Sequence, residues 1–201
     1  MLKKLLLILV LLVMIPSVTF AQQVHTVRSG DTMWKISVWY KVGLSEIIGA
    51  NPHIKNPALI YPGQKITVPD LSTAKNIGNQ VIQLTNQERA RHGLKPLAAD
   101  WQLSRVARYK SADMRDKNYF QHNSPTYGTP FDMIKGFGIA YRSAGENIAA
   151  GQRTPQEVVK AWMDSPGHRA NILNSSYTHI GVGHVTGGSY GHYWTQMFIA
   201  K

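Results

Sequence analysis

The sequence contains no cysteine. This excludes disulfides, thiol nucleophiles and thiolate metal sites together, so any fold must hold by core packing alone. Acidic residues are also scarce: 11 Asp and Glu stand against 22 Lys and Arg, for a formal net charge of +11. The excess is spread along the chain, and no Lys/Arg stripe or recognition motif accompanies it, which argues against nucleic acid. Two readings of the charge stay open, plain solubility and attraction to an anionic matrix such as a polymer-rich cell wall. No apolar run reaches the ~20 residues that a bilayer-crossing helix needs. The longest, Leu5 to Val18, has about 14 residues. Lys3 and Lys4 precede it, and the small residues Thr19 and Ala21 follow. That order of charge, apolar core and small-residue exit reads as a secretory signal peptide over residues 1–21, cleaved after Ala21. Its removal leaves no transmembrane segment.

The whole chain is 43% hydrophobic, and the remainder is long enough for one or two domains. The patterning changes near residues 70–79. Before it, Val24-His25-Thr26-Val27 alternates like a strand, and Ser29-Gly30-Asp31-Thr32 forms a turn in which Asp31 can cap a helix. Trp34, Ile36 and Trp39 mark that helix, with Trp34 a candidate core residue and Gly43 its stop. Leu44 to Ala50 reads as a second short helix, ended by Asn51-Pro52. Lys65-Ile66-Thr67-Val68 is a closing strand after Tyr61-Pro62-Gly63-Gln64. Residues 70–79 are polar and aperiodic and read as a linker.

From Gln80 onward the periods lengthen. Val81 to about His92 is an amphipathic helix closed by Gly93, and Asp100 can cap a second one that carries Leu103, Val106, Ala107 and Met114. Thr129-Pro130 and Thr154-Pro155-Gln156-Glu157 are further helix starts, the latter a capping box ended by Ser165-Pro166-Gly167. His179–Val185 and Tyr190–Ala200 alternate as strands joined at Thr186-Gly187-Gly188-Ser189. The pattern is α+β.

Three spaced segments of the first unit carry chemistry: Ser29-Gly30-Asp31-Thr32-Met33-Trp34-Lys35-Ile36, Ala50-Asn51-Pro52, and Ile60 through Pro69. Together they resemble the LysM family. The resemblance implies a βααβ module over 24–69 that binds N-acetylglucosamine-containing glycan, peptidoglycan or chitin-like. It places the groove between the loop Gly30, Asp31, Thr32, Met33 and the loop Pro52, His53, Ile54, with Ile60 nearby.

Four later segments, Asn118 to Pro125, Ala144 to Ala149, Trp162 to Leu173 and Ile180-Gly181-Val182-Gly183, resemble the cysteine-free bacterial branch of the CAP superfamily. This implies an α-β-α sandwich over 80–201 with His122, Glu146 and His168 around a cleft. The family's fourth member sits in Trp-x-x-Glu. Here Ser165 occupies that place and the nearest acid, Asp164, falls one residue early, a turn of about 100 degrees on a helix. His122 and His168 could hold a divalent ion such as zinc with a carboxylate, or form an acid/base set. Each also has a plain structural reading: Glu146 closing a capping box from Ser143, His168 satisfying turn carbonyls, His122 sitting near a helix end.

Two functions follow. One is a secreted, non-catalytic protein of the cell wall or spore envelope, tethered to glycan and presenting the second domain to a lipid, peptide or protein. The alternative is a wall-tethered hydrolase using a His/Glu site, with or without zinc. A tether fits both, because it raises local concentration.

Overall fold

Short segments with strong end signals build the first module. The computed structural model describes residues 23–201, so the leader read from residues 1–21 lies outside the described residues. Strands β1 (Val24–Thr26) and β2 (Lys65–Thr67) pair antiparallel with His25 opposite Ile66. Helices α1 (Met33–Trp39) and α2 (Leu44–Gly49) lie between them in sequence. Val27, Met33, Ile36, Val42, Ile47, Ile66 and Val68 form the core. Asn51 ties it together from inside: its amide nitrogen donates to the carbonyls of Ile47 and Thr67, and its oxygen accepts from the Thr67 amide at 2.8 Å. All three of these backbone groups would otherwise need other partners.

Three expectations for this module need correction. Thr32, not Asp31, caps α1, its hydroxyl accepting from the Lys35 amide at 3.1 Å. Asp31 is engaged elsewhere, accepting from His25 Nε2 at 2.9 Å and the Arg28 amide at 2.8 Å. Trp34 is 48% exposed, because Met33, Ile36 and Ser37 already fill the buried face of α1. Gly43 does not end α1; it is the N-cap of α2, and the chain reverses at Lys41, which adopts φ 53°.

The second module is a three-layer sandwich. Its sheet runs in the order β3 (Ala98–Ala99), β5 (His179–Thr186), β6 (His192–Ala200), β4 (Ser143–Ala150). Helices α3 (Ser72–Arg91), α6 (Pro155–Asp164) and α7 (Pro166–Ile172) cover one face through Val81, Val158, Trp162 and Ile172 against Ile180, Val182, Trp194 and Phe198. Helices α4 (Trp101–Asp116) and α5 (Pro130–Gly136) cover the other through Leu103, Val106, Met133 and Ile134 against Met197 and Ile199. The expected caps at Asp100, Thr129 and Thr154 form, each side chain accepting a backbone amide three residues on. The expected linker is mostly helix: α3 begins at Ser72, with Asp70 accepting the Ser72 amide. Gly78 seats that extra length, since a Cβ there would lie 3.2 Å from the Val182 carbonyl.

Helix α4 lies directly on β5. An ideal Cβ on Gly181 would fall 2.3 Å from the Leu103 carbonyl carbon, and one on Gly183 would fall 2.1 Å from the Arg108 nitrogen. The helix backbone occupies the space where side chains would stand. The opposite side of α4 receives the first module. Arg108 pairs with Glu46 at 2.7 Å, Tyr109 shares a hydrogen bond with Ser45, and Lys75 of α3 donates to the Tyr40 carbonyl. Trp34 lines the same junction with Leu44, Arg105 and Phe137.

At the far end of β5 and β6, His184 is buried. Its Nε2 meets His192 Nδ1 at 3.0 Å, and its ring stacks on Trp194 at 3.9 Å. Burial, with a smaller effect of His192, pulls its pKa down to about 4.

Two predictions follow. Gly183→Ala must push α4 off the sheet and should cost about 3 kcal/mol or more in chemical denaturation, near the upper end of overpacking penalties; a loss under about 0.5 kcal/mol would contradict the contact. As pH falls from ~6.5, the unfolded chain protonates His184 while the folded chain does not, so stability falls with pH. The loss should approach about 3 kcal/mol by pH ~4, and His184→Gln should flatten that part of the stability profile.

Candidate functional site

On the first module, a surface hollow of about 490 Å³ is lined by His53, Ile54, Lys55, Asn56, Leu59, Tyr61, Gln64 and Lys65. Of the glycan-binding residues expected from sequence, it brings together only His53 and Ile54. Gly30, Thr32 and Pro52 are exposed outside it, Asp31 is tied to His25, and Ile60 packs partly against the core. Met33 is 2% exposed, which withdraws its side chain from ligand contact. Leu59 and Tyr61 were not expected. Their signal is their exposure, above half for two large side chains that flank the half-buried Ile60 on a loop.

The second site straddles β4, the edge strand of the sheet. Glu146 lies within β4, so the capping-box reading of Ser143 and Glu146 fails: the whole segment pairs with β6, and eight residue pairs outweigh a local helix signal. The Glu146 side chain is 2% exposed and its Oε1 accepts from His122 Nδ1 at 2.7 Å. Burial raises the Glu146 pKa, opposed by the hydrogen bond from His122 and the charge of Lys110. Its Oε2 has no hydrogen-bond partner. The His122 ring is half exposed. With Nδ1 fixed on a carboxylate, the free Nε2 is the group left for a ligand or a proton.

His168 reaches the same place from the other side. Pro166 does not end the helical region but starts α7, as proline at a first helical position can, and His168 lies in its first turn. His122 and His168 line one cavity of about 430 Å³ with Phe120, Ile148, Gln152, Trp162 and Ser165. Burial, then the charge of His122, lowers the His168 pKa, which favours its neutral form. Gln152, on the cavity wall, has a buried side-chain oxygen without a donor.

Two buried polar assemblies position these groups. Neither was foreseen from sequence. Lys110 of α4 is fully buried and donates to the carbonyls of Gln121 and His122 at 2.7 Å and to the Tyr119 hydroxyl at 3.1 Å. Asp113, one turn on, accepts from the hydroxyls of Tyr119 and Ser124 at 2.6 Å and from Thr126. Together they pin the loop that carries His122. On the other side, Asn147 donates to the His168 carbonyl and to Gln196 at 3.0 Å, and Asn171 donates to Asn147 at 2.8 Å and to the Glu146 carbonyl. Gln196 continues to Thr85 of α3. The network locks α7 to β4.

Asp164 is placed outside the cavity. Its carboxylate is 64% exposed and pairs with Lys160 at 2.6 Å along the outer face of α6. The one-residue offset from the family position has this consequence: Ser165 faces the cavity and the acid does not. Among the described residues no three His, Asp or Glu side chains are grouped so as to hold a metal ion. His122 Nε2 and His168 could supply two imidazoles to a divalent ion such as zinc, but no third ligand converges among the described residues, so the set falls short of what zinc takes. His184 and His192 pair with each other, and His179 with Thr178.

Lys110→Met should release the His122 loop. We expect faster amide exchange across 119–122 and about 2–3 kcal/mol lower stability, because two buried carbonyls lose a charged donor. Unchanged exchange in that loop would contradict the positioning role.

Comparison with known proteins identifies both domains. The model of the cysteine-rich secretory protein family, CAP, matches residues 82–198, and that of the LysM domain matches residues 25–69. Uncharacterized protein YkwD of Bacillus subtilis (strain 168) is 66% identical over 122 residues, 61% of this chain and 46% of that protein. Spore coat assembly protein ExsA of Bacillus cereus is 44% identical over 50 residues, 25% of this chain and 8% of that protein. An extracellular protein containing a SCP domain from Bacillus anthracis str. Ames superposes with a TM-score of 0.59 at 38% identity, over 70% of this chain and 47% of that one. The chain thus spans under half the length of these relatives. It belongs to the cysteine-rich secretory protein (CAP) family, and a LysM domain precedes its CAP domain.

Proposed function

We propose that the protein is exported and held on the cell wall or spore envelope by its LysM domain, which binds N-acetylglucosamine-containing glycan of peptidoglycan. The observation that carries this reading is the LysM surface hollow with exposed Tyr61 and Leu59 at its edge and the polar side chains of Asn56, Gln64 and Lys65 in its wall. A sugar offers apolar ring faces to the first pair and hydroxyls and amides to the second set. Similarity to a spore coat assembly protein and to an extracellular protein of bacilli supports the location.

The CAP cleft serves as a binding site in this reading. Ser165 stands where the family places a carboxylate and Asp164 points away, so the cleft lacks an acid pair; its one nearby carboxylate, Glu146, is buried behind His122. Glu146 Oε2 and Gln152 Oε1 are buried acceptors without donors. A ligand that brings N–H or O–H groups, such as a peptide amide or an amino sugar, would relieve that deficit. One observation favours a second reading, a hydrolase: His122, oriented through Nδ1 by Glu146, has the form of a general base held by a carboxylate.

Retention on purified peptidoglycan tests the tether. Tyr61→Ala combined with His53→Ala should weaken it about tenfold, the loss of ~1.4 kcal/mol; undiminished retention would refute the hollow as the glycan site. Peptidoglycan or peptide turnover that disappears in His122→Ala would replace the binding reading of the cleft with the hydrolase.

A further inference from the structure

The junction between the two domains holds a further cavity, of about 320 Å³, that shares no lining residue with the His122 cleft. One water takes a share of roughly 30 Å³, so this cavity admits a group the size of phosphate with a short substituent. Its wall is cationic. Lys41 comes from the α1–α2 turn of the LysM domain, Lys75 from α3 and Arg108 from α4. The single acid in the wall, Asp100, is already committed: it caps α4 through the Leu103 amide at 2.9 Å and pairs with Lys201 at 2.6 Å. Arg108 is matched by Glu46. Lys75 meets only a carbonyl, that of Tyr40, and Lys41 has no ion-pair partner among the described residues. Two positive charges therefore face one partly enclosed space with no direct ion pair to either lysine, although Glu46 and Asp70 attract Lys75 from nearby, and low-dielectric walls such as Trp101 and Val182 focus the field.

Folding should avoid this arrangement. Burial and the repulsion of Arg108 and Lys41 lower the Lys75 pKa, against the attraction of Glu46 and Asp70. Lys41 also adopts φ 53°, a left-handed conformation that costs a residue with a Cβ on the order of 1 kcal/mol. An anion in the cavity offsets the repulsion. Cations arriving from three different elements suit the tetrahedral oxygens of phosphate better than the two coplanar oxygens of a carboxylate.

We propose that this junction cavity is a phosphate-binding site, taking free phosphate or the phosphodiester of an anionic wall polymer, and that its occupant clamps the LysM domain onto the CAP domain. Phosphate binding itself does not depend on the glycan reading above; the polymer as source does. Because Lys41 belongs to one domain and Lys75 and Arg108 to the other, the ligand binds the docked form alone and stabilises it by mass action.

The test is calorimetric titration of the protein with inorganic phosphate at constant ionic strength, beside the Lys41→Asn, Lys75→Gln double variant. Asparagine tolerates the left-handed turn, Lys41 is exposed and Lys75 partly so, and the variant should fold. Unchanged retention on phosphate-free peptidoglycan checks that it does, and separates this result from failure of the LysM reading. We expect saturable binding by the wild type, at least tenfold weaker in the variant, with acetate a poor competitor. No saturable phosphate binding, equal binding by the variant, or acetate competing as well as phosphate would each overturn the site. Walls carrying phosphodiester polymer should be retained better than walls stripped of it by the wild type only. Equal retention of both walls would overturn the polymer as source and leave free phosphate as the ligand.

Discussion

Helix α4 can lie against β5 only because Gly181 and Gly183 carry no side chains. The contact is backbone to backbone, with the hypothetical Cβ atoms falling 2.1–2.3 Å from helix main-chain atoms. Both the loop of His122 and the domain junction hang from that helix. Its inner face supplies Leu103, Val106 and Ala107 to the core. Its C-terminal turns supply Lys110 and Asp113, which hold the loop of His122. Its outer face supplies Arg105, Arg108 and Tyr109 to the LysM junction. The Ile-Gly-Val-Gly segment thus sets the distance between the sheet and both sites, although neither glycine touches a ligand.

The cleft illustrates how a polar interior fixes geometry without a disulfide. In a chain with no cysteine, the edge strand β4 and helix α7 are joined by the amides of Asn147, Asn171 and Gln196. Buried amides satisfied on several sides specify one arrangement, because any slip leaves them unpaired. His168 and Glu146 are placed by the backbones this network holds, and His122 by a buried lysine that acts through the loop carbonyls. The reactive-looking groups are few, and most of the buried polar chemistry positions them.

Much of the architecture was legible in the sequence because its signals are local. Asp100, Thr129 and Thr154 announce helix starts with their own side chains, and the β5–β6 alternation survives burial on both faces. The CAP resemblance placed His122, Glu146 and His168 around one cleft; His122 and His168 line it, and Glu146 stands behind His122. What was not legible depends on partners distant in sequence. Ser143 and Glu146 spell a capping box until β6 pairs with them. Trp34 looks like core until Met33 and Ile36 fill the space beneath α1 and α4 arrives at its flank. Polar residues 72–79 carry no periodicity of their own and become helix by leaning Gly78 and Ile77 on the sheet. Nothing local marks Lys110 as a buried lysine, since three acceptors from another segment neutralise the cost.

The central claim is that α4 makes the two domains one body, through Glu46–Arg108, Ser45–Tyr109 and the packing of Trp34. Backbone ¹⁵N relaxation reads this directly, because a domain of the LysM size tumbling alone relaxes on a shorter timescale than the whole chain. The account predicts one rotational correlation time for amides of residues 24–69 and 80–201. A distinctly shorter time for residues 24–69 would contradict it.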